Sequence, residues 1–288
     1  MYFKQDTNRK VNFSGKVKLV VSDIDGTFLE PDKSVPQSSI QAVKLLKQHN
    51  IPFAFATGRM YAAIQGWVEQ LELDTPQIAG NGAQIVDPTT NQELCHYYFT
   101  HKEIVWIVQF AKANNIVPVF FSSSDVTSTK LAETDMFLAR NNEFVQEKPE
   151  DFFVDPKKQF DKILFLSMED DIPKLQQQAQ ALIELAKAEN INIQTVFSEP
   201  NIFNLVPSQA TKSSAIKTLC KHVNCTIHDV MAIGDGENDA DMLASVGLGV
   251  AMGNAEQITK DAALAITLDN LNGGLLNAIQ HIIMNAEL

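Results

Sequence analysis

Two aspartates follow an apolar run near the start of the chain. The stretch Lys18–Thr27 reads KLVVSDIDGT, so Asp23 and Asp25 lie two residues apart, just before Gly26. Because side chains alternate along a strand, both carboxylates would point to the same side where the strand ends. Carboxylates held this close resist joint ionisation unless a cation lies between them. We therefore expect a divalent cation, although by itself the motif fits a solvated acidic turn equally well.

A second apolar run, Val230–Ile233, ends in the glycine-rich acidic loop GDGEND at residues 234–239. The carboxyl ends of parallel strands open into one crevice, so Asp235 is expected to join Asp23 and the Asp25 region around a hard cation. Oxygen ligands suit Mg²⁺, which takes a few protein ligands and retains several waters. The two motifs together predict a magnesium site.

Two further signals could bind an anion. Thr57, Gly58 and Arg59 follow an apolar strand and precede a helix, where a hydroxyl and backbone N–H groups can bind an oxyanion. By itself this triplet fits an N-cap threonine with a turn glycine better. Arg59 would lie at the rim of the site or form an ion pair on the helix surface. Lys212 begins an amphipathic helix, although a lone lysine usually lies at the surface.

The elements that would carry these motifs alternate between strands and helices. Apolar strands at 17–23 and 51–56 alternate with amphipathic helices at 36–48 and 60–71, which predicts a mostly parallel sheet covered on both faces. The alternation resumes near residue 202. It continues with strands at 202–206, 230–233, 248–252 and 263–267 and with helices at 212–223, 239–245 and the C-terminus.

Between these two stretches the pattern indicates less parallel pairing. The predicted strands are 94–99, 116–121, 163–166 and 191–197, and the predicted helices are one opened by a capping box at Thr100, one near 130–140 and one at 172–189. The sequence thus predicts an α/β core, residues 1–86 plus 201–288, interrupted by an inserted α+β unit, residues 87–200.

Composition and charge limit the function classes. The chain has 288 residues and a net charge of -12, with no basic block, which argues against nucleic-acid or anionic-membrane partners. It has no apolar run of the roughly 18 residues that a membrane helix needs. The polar start MYFKQDTNRKVNF is expected to be disordered and not a secretory signal. Three cysteines favour a reducing, cytoplasmic setting. A cluster at 220–228, with two cysteines and two histidines, fits core packing and surface imidazoles better than zinc.

Together the signals resemble the haloacid dehalogenase superfamily, most closely its Cof-type branch, which has a type IIB α+β cap inserted between the second and third motifs. The matching segments are DIDGT at 23–27, TGR at 57–59, NGA at 81–83, Lys212, and GDGEND at 234–239 followed by DML at 241–243. One position departs, because Ser213 stands where the family commonly has glycine. The resemblance implies a Rossmann-like, doubly wound core and a cap that selects substrates.

The resemblance also implies residue roles in a Mg²⁺-dependent phosphatase. Asp23 would be the nucleophile that forms an aspartyl-phosphate. Asp25 would be the general acid and base, and its backbone carbonyl would bind the metal. To donate a proton near neutral pH, Asp25 would need a raised pKa. Asp235 would ligate the metal, and Asp239 would do so directly or through water.

The remaining implied roles concern the phosphate. Thr57, the Gly58 N–H, Lys212 and Asn238 would hold phosphate oxygens, and Arg59 is included in this set. Lys212 would also take part in catalysis. The Asn81-Gly82 pair most often forms a turn, so it is left outside the expected catalytic set.

Three function classes stay open: a phosphomonoester hydrolase, a phosphomutase and a non-catalytic binder of phosphorylated ligands. The second aspartate favours hydrolysis of an ester over dehalogenation, because an alkoxide must be protonated and a halide need not be. Sugar phosphates are the expected substrates, with pyridoxal phosphate and flavin mononucleotide as alternatives. The polar segment 121–136 could contact a sugar or form a solvated loop. We expect a monomer or weak homo-oligomer with a small-molecule partner and no nucleic-acid or membrane partner.

Overall fold

The structure is a computed structural model that describes residues 1–3, 16–123, 125–131, 138, 143–168 and 171–286. Its strands are β1 (Tyr2–Phe3), β2 (Leu19–Ser22), β3 (Phe53–Phe55), β4 (Gln77–Ala79), β5 (Gln84–Asp87), β6 (Gln92–His96), β7 (Val119–Phe121), β8 (Val126–Ser128), β9 (Val145–Glu147), β10 (Lys162–Leu166), β11 (Ile193–Glu199), β12 (Ile202–Pro207), β13 (Val230–Gly234), β14 (Leu248–Ala251) and β15 (Ala265–Ile266).

The helices follow the strands in an α/β alternation at both ends of the chain. They are α1 (Gln37–Gln48), α2 (Tyr61–Gln70), α3 (His101–Ala113), α4 (Glu150–Phe153), α5 (Ile172–Ala188), α6 (Lys212–His222), α7 (Ala240–Ser245), α8 (Gln257–Ala262) and α9 (Gly274–Ala286).

The main sheet has the strand order β1-β15-β14-β13-β2-β3. Strands β3, β2, β13, β14 and β15 are parallel, and β1 pairs antiparallel with β15. Consecutive side chains of β2 point to opposite faces, yet Leu19, Val20 and Val21 are all fully buried. Both faces of this sheet are therefore covered, and the expected mostly parallel core sheet is confirmed.

The second sheet has the order β11-β12-β10-β7-β8-β9 and is antiparallel except between β8 and β9. It packs around its own apolar cluster, which includes Phe120, Phe153, Phe165 and Phe203. A third, three-stranded antiparallel sheet, β4-β5-β6, lies beside β3. Pairing is thus mostly antiparallel between residues 87 and 200, as expected, but antiparallel pairing already begins at β4, which pairs with β5 before residue 86 is passed.

One strand was wrongly expected in the core. Residues 202–206 belong to β12, which pairs antiparallel with β10 and β11 in the second sheet. The apolar run could not reveal this, because it is buried in either sheet. The limits 87–200 of the inserted unit stay a prediction, and we propose that its C-terminal limit lies after Pro207.

The chain's first residues also differ from expectation. Tyr2 and Phe3 form an edge strand against Ile266 and Ala265, and the amino group of Met1 donates to Asn277 Oδ1 at 2.7 Å. The expectation of disorder is wrong for these residues, because β15 offers an unpaired edge. The rest of that expectation, at 4–15, lies outside the described residues. So does most of the helix predicted near 130–140.

A buried histidine joins the third sheet to the second. His96 at the end of β6 lies 2.7 Å by its Nε2 from Asp161 Oδ2 and 2.9 Å by its Nδ1 from Glu93 Oε2. Its side chain is only 6% exposed. Burial lowers the pKa of His96, but the hydrogen bonds and charges of the two carboxylates outweigh this and raise the pKa above 6.5. His96 therefore links the chain entering the second sheet to the residue that precedes β10, and its two carboxylate partners favour its protonated form.

This link predicts a pH-dependent stability. The pKa of His96 is higher in the folded protein than in the unfolded chain. Its contribution to the free energy of unfolding is therefore fully present below the unfolded-state pKa of about 6.5, and it is lost as the pH rises through the folded-state pKa. Replacing His96 by glutamine should cost about 1.5–3 kcal/mol of unfolding free energy at pH 5.5 and clearly less at pH 9, measured by urea denaturation. His101→Gln, at an exposed histidine, is the control. A cost independent of pH would contradict the prediction.

Candidate active site

The motifs meet where parallel strands of the main sheet end. Asp23 follows β2, Thr57 follows β3 and Asp235 follows β13. All three line one cavity of about 560 Å³, whose opposite wall comes from the second sheet. Neighbouring parallel strands carry their carboxyl ends to the same edge, which is why residues more than 200 positions apart in sequence converge here.

Three carboxylates form the centre of the site. The ligand-capable oxygens of Asp23, Asp235 and Asp239 lie within 4.8 Å of one another. Lys212 Nζ donates to Asp23 Oδ1 and to Asp239 Oδ1, both at 2.7 Å. The side chains of Asp23, Asp239 and Lys212 are at most 8% exposed. A buried ammonium therefore partly compensates a buried acidic cluster.

This compensation is incomplete. Burial raises the pKa of Asp23 well above its ordinary value, and although Lys212 opposes this, the neighbouring carboxylates add to the rise. Burial and the charge of Asp239 raise the pKa of Asp235 to about 7. A divalent cation among three carboxylates would favour their ionised forms. The donor set, all carboxylate oxygen, fits a hard cation such as Mg²⁺.

Short contacts fix the orientation of these carboxylates. Asp235 accepts hydrogen bonds from Thr27 Oγ1 at 2.7 Å and from Asn254 Nδ2 at 3.3 Å. Asp239 accepts from the backbone N–H groups of Asp235 and Gly236, at 3.0 and 3.1 Å. The acidic loop therefore holds Asp239 in place through its own backbone, and both acids face the cluster before any ligand binds.

Asp25 contacts cations other than the expected ones. Arg59 donates two hydrogen bonds to its carboxylate, from Nε at 2.8 Å and from a terminal nitrogen at 2.7 Å, and Lys33 Nζ donates at 2.9 Å. Burial raises the pKa of Asp25, but Arg59 and Lys33 outweigh it and lower the pKa to about 2. The expectation of a raised pKa for Asp25 is therefore wrong for this structure, because Arg59 is buried against Asp25.

The position of Arg59 differs from both of its expected placements. Its guanidinium is 9% exposed and lies 5.2 Å from the ring centroid of Trp67. It therefore forms a buried ion pair inside the cavity, neither at the rim nor on the helix surface.

The expected phosphate-binding residues lie around the same cavity. Thr57 is buried, and its hydroxyl oxygen accepts the Arg59 N–H at 3.1 Å; it is not an N-cap, because α2 begins four residues later. Asn238 and Gly58 line the cavity with it. Asn238 Nδ2 donates to Asn81 Oδ1 at 3.1 Å. Whether these groups hold a phosphate stays a prediction.

Sequence reasoning missed Asn81 as a site residue. Asn81 is buried, adopts a left-handed backbone (φ 55°) and orients Asn238. Its presence in the NGA segment was the available signal, but a turn was the better prediction from sequence. Lys33 and Asn254 were also missed, because each comes from a loop with no distinctive pattern. The family departure Ser213 has a local role, since its hydroxyl donates to the Asp241 carboxylate.

Comparison with known proteins identifies the family. The profile of the haloacid dehalogenase-like hydrolases matches residues 20–279, which is most of the chain and includes every motif above. The chain belongs to this family. The resemblance found in the sequence, and the expectation that the chain is a hydrolase, are confirmed.

The relatives of this hydrolase include proteins named HMP-PP phosphatase. Those of Escherichia coli O6:H1 and Shigella boydii are each 28% identical to it over 242 residues; the match covers 83% of this chain and 85% and 88% of those proteins. The chain is accordingly a phosphatase of the haloacid dehalogenase type.

Solved structures support the fold. A haloacid dehalogenase-like hydrolase from Bacteroides thetaiotaomicron has a TM-score of 0.79 at 26% identity, covering 93% of this chain and 100% of that one. Another from B. subtilis has a TM-score of 0.80 at 25% identity, covering 92% and 99%. A HAD subclass IIB sugar phosphatase matches in fold with a TM-score of 0.79 at 19% identity, covering 93% and 100%. The Rossmann-like core with an inserted cap is thereby confirmed.

Two further sequence interpretations can be compared with the structure of the hydrolase. Within the described residues, the Asp23, Asp235 and Asp239 group is the cluster whose ligand atoms could hold a metal, so the cysteines and histidines at 220–228 do not form one. In the same part of the chain, no helix combines the length and hydropathy needed to cross a membrane. The segment 121–136 lies partly outside the described residues.

The geometry of the acidic cluster predicts the effect of one methyl group. Gly26 has a φ of +78°, and a Cβ there would lie 2.1 Å from Asp235 Oδ2. Gly26→Ala should displace Asp235 and lower phosphatase activity by about 100-fold, the scale expected for a misplacement near 1 Å. Gly66→Ala, in α2 with no atom within 4 Å of its Cβ, should keep activity and raise stability by about 0.5–1 kcal/mol. Steady-state kinetics and thermal melts of both variants check this; full activity in Gly26→Ala would contradict it.

Proposed function

We propose that this hydrolase is a Mg²⁺-dependent phosphatase of small phosphomonoesters, with sugar phosphates as the favoured substrates. The observation that carries the proposal is the position of Asp23: its carboxylate belongs to the acidic cluster, accepts a hydrogen bond from the buried Lys212, and lines a cavity that Asp25 also lines. The names of the HMP-PP phosphatase relatives support action on a small phosphate ester. A cytoplasmic location and a monomeric or weakly associated state stay predictions.

Asp23 would act as the nucleophile. One carboxylate oxygen attacks phosphorus, an aspartyl-phosphate bond forms, and the bond from phosphorus to the ester oxygen breaks. Water then attacks the same phosphorus and releases inorganic phosphate with a regenerated Asp23. Lys212, 2.7 Å from the carboxylate, would keep Asp23 ionised and compensate charge on the phosphoryl oxygens.

Asp25 would transfer protons to the leaving alkoxide and from the attacking water. Its protonated carboxyl would give a proton to the leaving alkoxide, and the resulting carboxylate would take one from the attacking water. Arg59 and Lys33 favour the ionised form through their hydrogen bonds to its carboxylate. Proton donation would therefore require Asp25 to exchange these contacts for one with the substrate, whose phosphate offers both cations another anionic partner.

The remaining groups would bind the metal and the phosphate. Asp23, Asp235 and Asp239, with the backbone carbonyl of Asp25, would hold Mg²⁺, which when bound supplies charge compensation between carboxylate and phosphate. The phosphate oxygens would be bound by side chains and backbone that line the same cavity, namely Thr57, Gly58, Arg59 and Asn238.

The roles of the two aspartates predict different variant kinetics. With Mg²⁺ and a panel of phosphate esters that includes hexose monophosphates and the diphosphate HMP-PP, wild type should release inorganic phosphate. Asp23→Asn should lose at least about 1,000-fold in kcat, because the nucleophile is gone. Asp25→Ala should lose about 100–10,000-fold on sugar phosphates. With p-nitrophenyl phosphate, whose leaving group needs no proton, Asp25→Ala should still form the aspartyl-phosphate but hydrolyse it slowly. It should therefore release a burst of nitrophenol equal to the enzyme concentration.

The control for these variants is Asp32→Asn, an exposed acid in the same loop region, which should behave as wild type. Release of an isomeric sugar phosphate in place of inorganic phosphate would indicate a mutase. No turnover of any ester, or full activity in Asp23→Asn, would overturn the proposal.

Metal removal provides a separate prediction. Chelation by EDTA should abolish phosphate release, and Mg²⁺ should restore it. Asp235→Asn should need about 10–100-fold more Mg²⁺ for half-maximal activity, because it removes a charged ligand, whereas Glu237→Gln, an exposed acid in the same loop, should not. Mg²⁺ should also raise the melting temperature of wild type and of Glu237→Gln but not of Asp235→Asn. Activity that survives chelation would contradict a metal-dependent reaction.

A further inference from the structure

Lys162 is a buried cation with no role in the chemistry described above. It is the first residue of β10 in the second sheet, it is 3% exposed, and it lines the same cavity as Asp25 and Arg59. Its Nζ donates to the backbone carbonyl of Gly58 at 2.8 Å. The second sheet thus places an ammonium directly against the loop expected to hold the phosphate.

The hydrogen-bonding capacity of this ammonium is only partly used. An ammonium has three N–H donors. Within the described part of the chain, Gly58 O is the one hydrogen-bond acceptor of Lys162, and the ring centroid of Phe121 lies 3.8 Å away. The paired carboxylate oxygen, Glu143 Oε1, lies 3.9 Å from Nζ, too far for a hydrogen bond. A buried charge with spare donors is costly, so an acceptor supplied by a ligand would stabilise it.

Lys162 and Glu143 are both positioned on the same loop of the core. Lys162 contacts the carbonyl of Gly58, and Glu143 Oε1 accepts the N–H of Met60 at 3.4 Å. Thr57, at the start of this loop, is one of the expected phosphate-binding residues. Because Lys162 also lines the cavity, its remaining donors are available to a group bound there, next to the loop expected to hold the phosphate.

The charges of the cavity wall indicate what that part of the substrate is. Away from Asp23 and Asp235, the wall carries three cations and four carboxylates, so a second anionic group would enter a region with no excess positive charge. Neutral polar and apolar side chains also line it. The charged residues are Lys33, Arg59 and Lys162 and Asp25, Glu143, Glu199 and Asp269. Such a wall suits an uncharged group that has hydroxyls.

We propose that Lys162 is the residue that selects the leaving group, donating a hydrogen bond to a neutral oxygen of it. The inference rests on the proposed phosphatase function and adds a residue that contacts the leaving group of the substrate. Burial lowers the pKa of Lys162, and the carboxylate of Glu143, 3.9 Å from Nζ, opposes this and favours the charged form.

The test compares two Lys162 variants with wild type on three esters: a sugar monophosphate, phenyl phosphate and a hexose bisphosphate. Lys162→Met keeps the length of the side chain and removes the donors. It should lower kcat/KM by about 10–100-fold on the best hexose or pentose monophosphate of the panel, mainly through KM, the scale of a lost hydrogen bond to a charged group. It should change kcat/KM by less than about 3-fold on phenyl phosphate, whose leaving group has no second oxygen. Lys162→Gln, which retains a donor, should recover part of the loss.

A control variant and the activity on phenyl phosphate make the outcome decisive. Lys112→Met, at a lysine that is 71% exposed and paired with Glu150, should leave all three values unchanged. Activity on phenyl phosphate shows that Lys162→Met is folded. Equal losses on the sugar and phenyl esters would mean that Lys162 only fixes the loop at Gly58, and no loss on either would exclude any role; both results overturn the inference.

A different result would overturn it in favour of an anionic substrate. If wild type prefers a hexose bisphosphate over the monophosphate and Lys162→Met loses that preference, Lys162 binds a second phosphate group. The wild-type measurements separate the two proposals. If wild type hydrolyses none of the esters, the proposed function itself fails, whereas hydrolysis with an insensitive Lys162→Met overturns only the specificity role.

Discussion

The buried ion pairs of Lys212 with Asp23 and Asp239 are the constraint on which the rest of the site depends. The carboxylates of Asp23 and Asp235, at the ends of parallel strands, and of Asp239, in the loop after β13, repel one another. The ammonium, 2.7 Å from two of them, offsets only part of that repulsion. Burying such groups is tolerated where each charge has partners and hydrogen bonds. The pKa of Asp235, raised to about 7, reflects the repulsion that the ammonium does not offset. This uncompensated negative charge is the physical reason for expecting a metal ion here.

A second set of ion pairs separates the roles of the two aspartates of the first motif. Asp23 belongs to the acidic cluster, whereas Asp25 is held by Arg59 and Lys33 and has a pKa of about 2. The strand ends at Ser22, so the alternation of side chains no longer governs Asp25. One carboxylate therefore faces the proposed metal site, and the other faces the wall from the second sheet, where the leaving group would lie.

Much of this could be predicted from sequence because local pattern carries it. The alternation of apolar strands with amphipathic helices gave the parallel sheet, and the acidic motifs at strand ends gave the cluster of Asp23 and Asp235. The assignment of residues 202–206 to the core failed, because a fully buried strand looks the same in either sheet. Asn81 and Lys162 were not found, since a turn-forming asparagine and a lone lysine have common structural explanations.

The sequence by itself determined the family, the α/β core and the acidic residues at its strand ends, because each of these depends on residue types at short, fixed spacings. Only the tertiary structure decided which partner each buried cation has. Lys212 pairs with Asp23 and Asp239, and Arg59 pairs with Asp25. Lys162, from another sheet, donates to the backbone carbonyl of Gly58. Such pairs join residues from 27 to 189 positions apart, and their partners are selected by the packing of strands and loops in space.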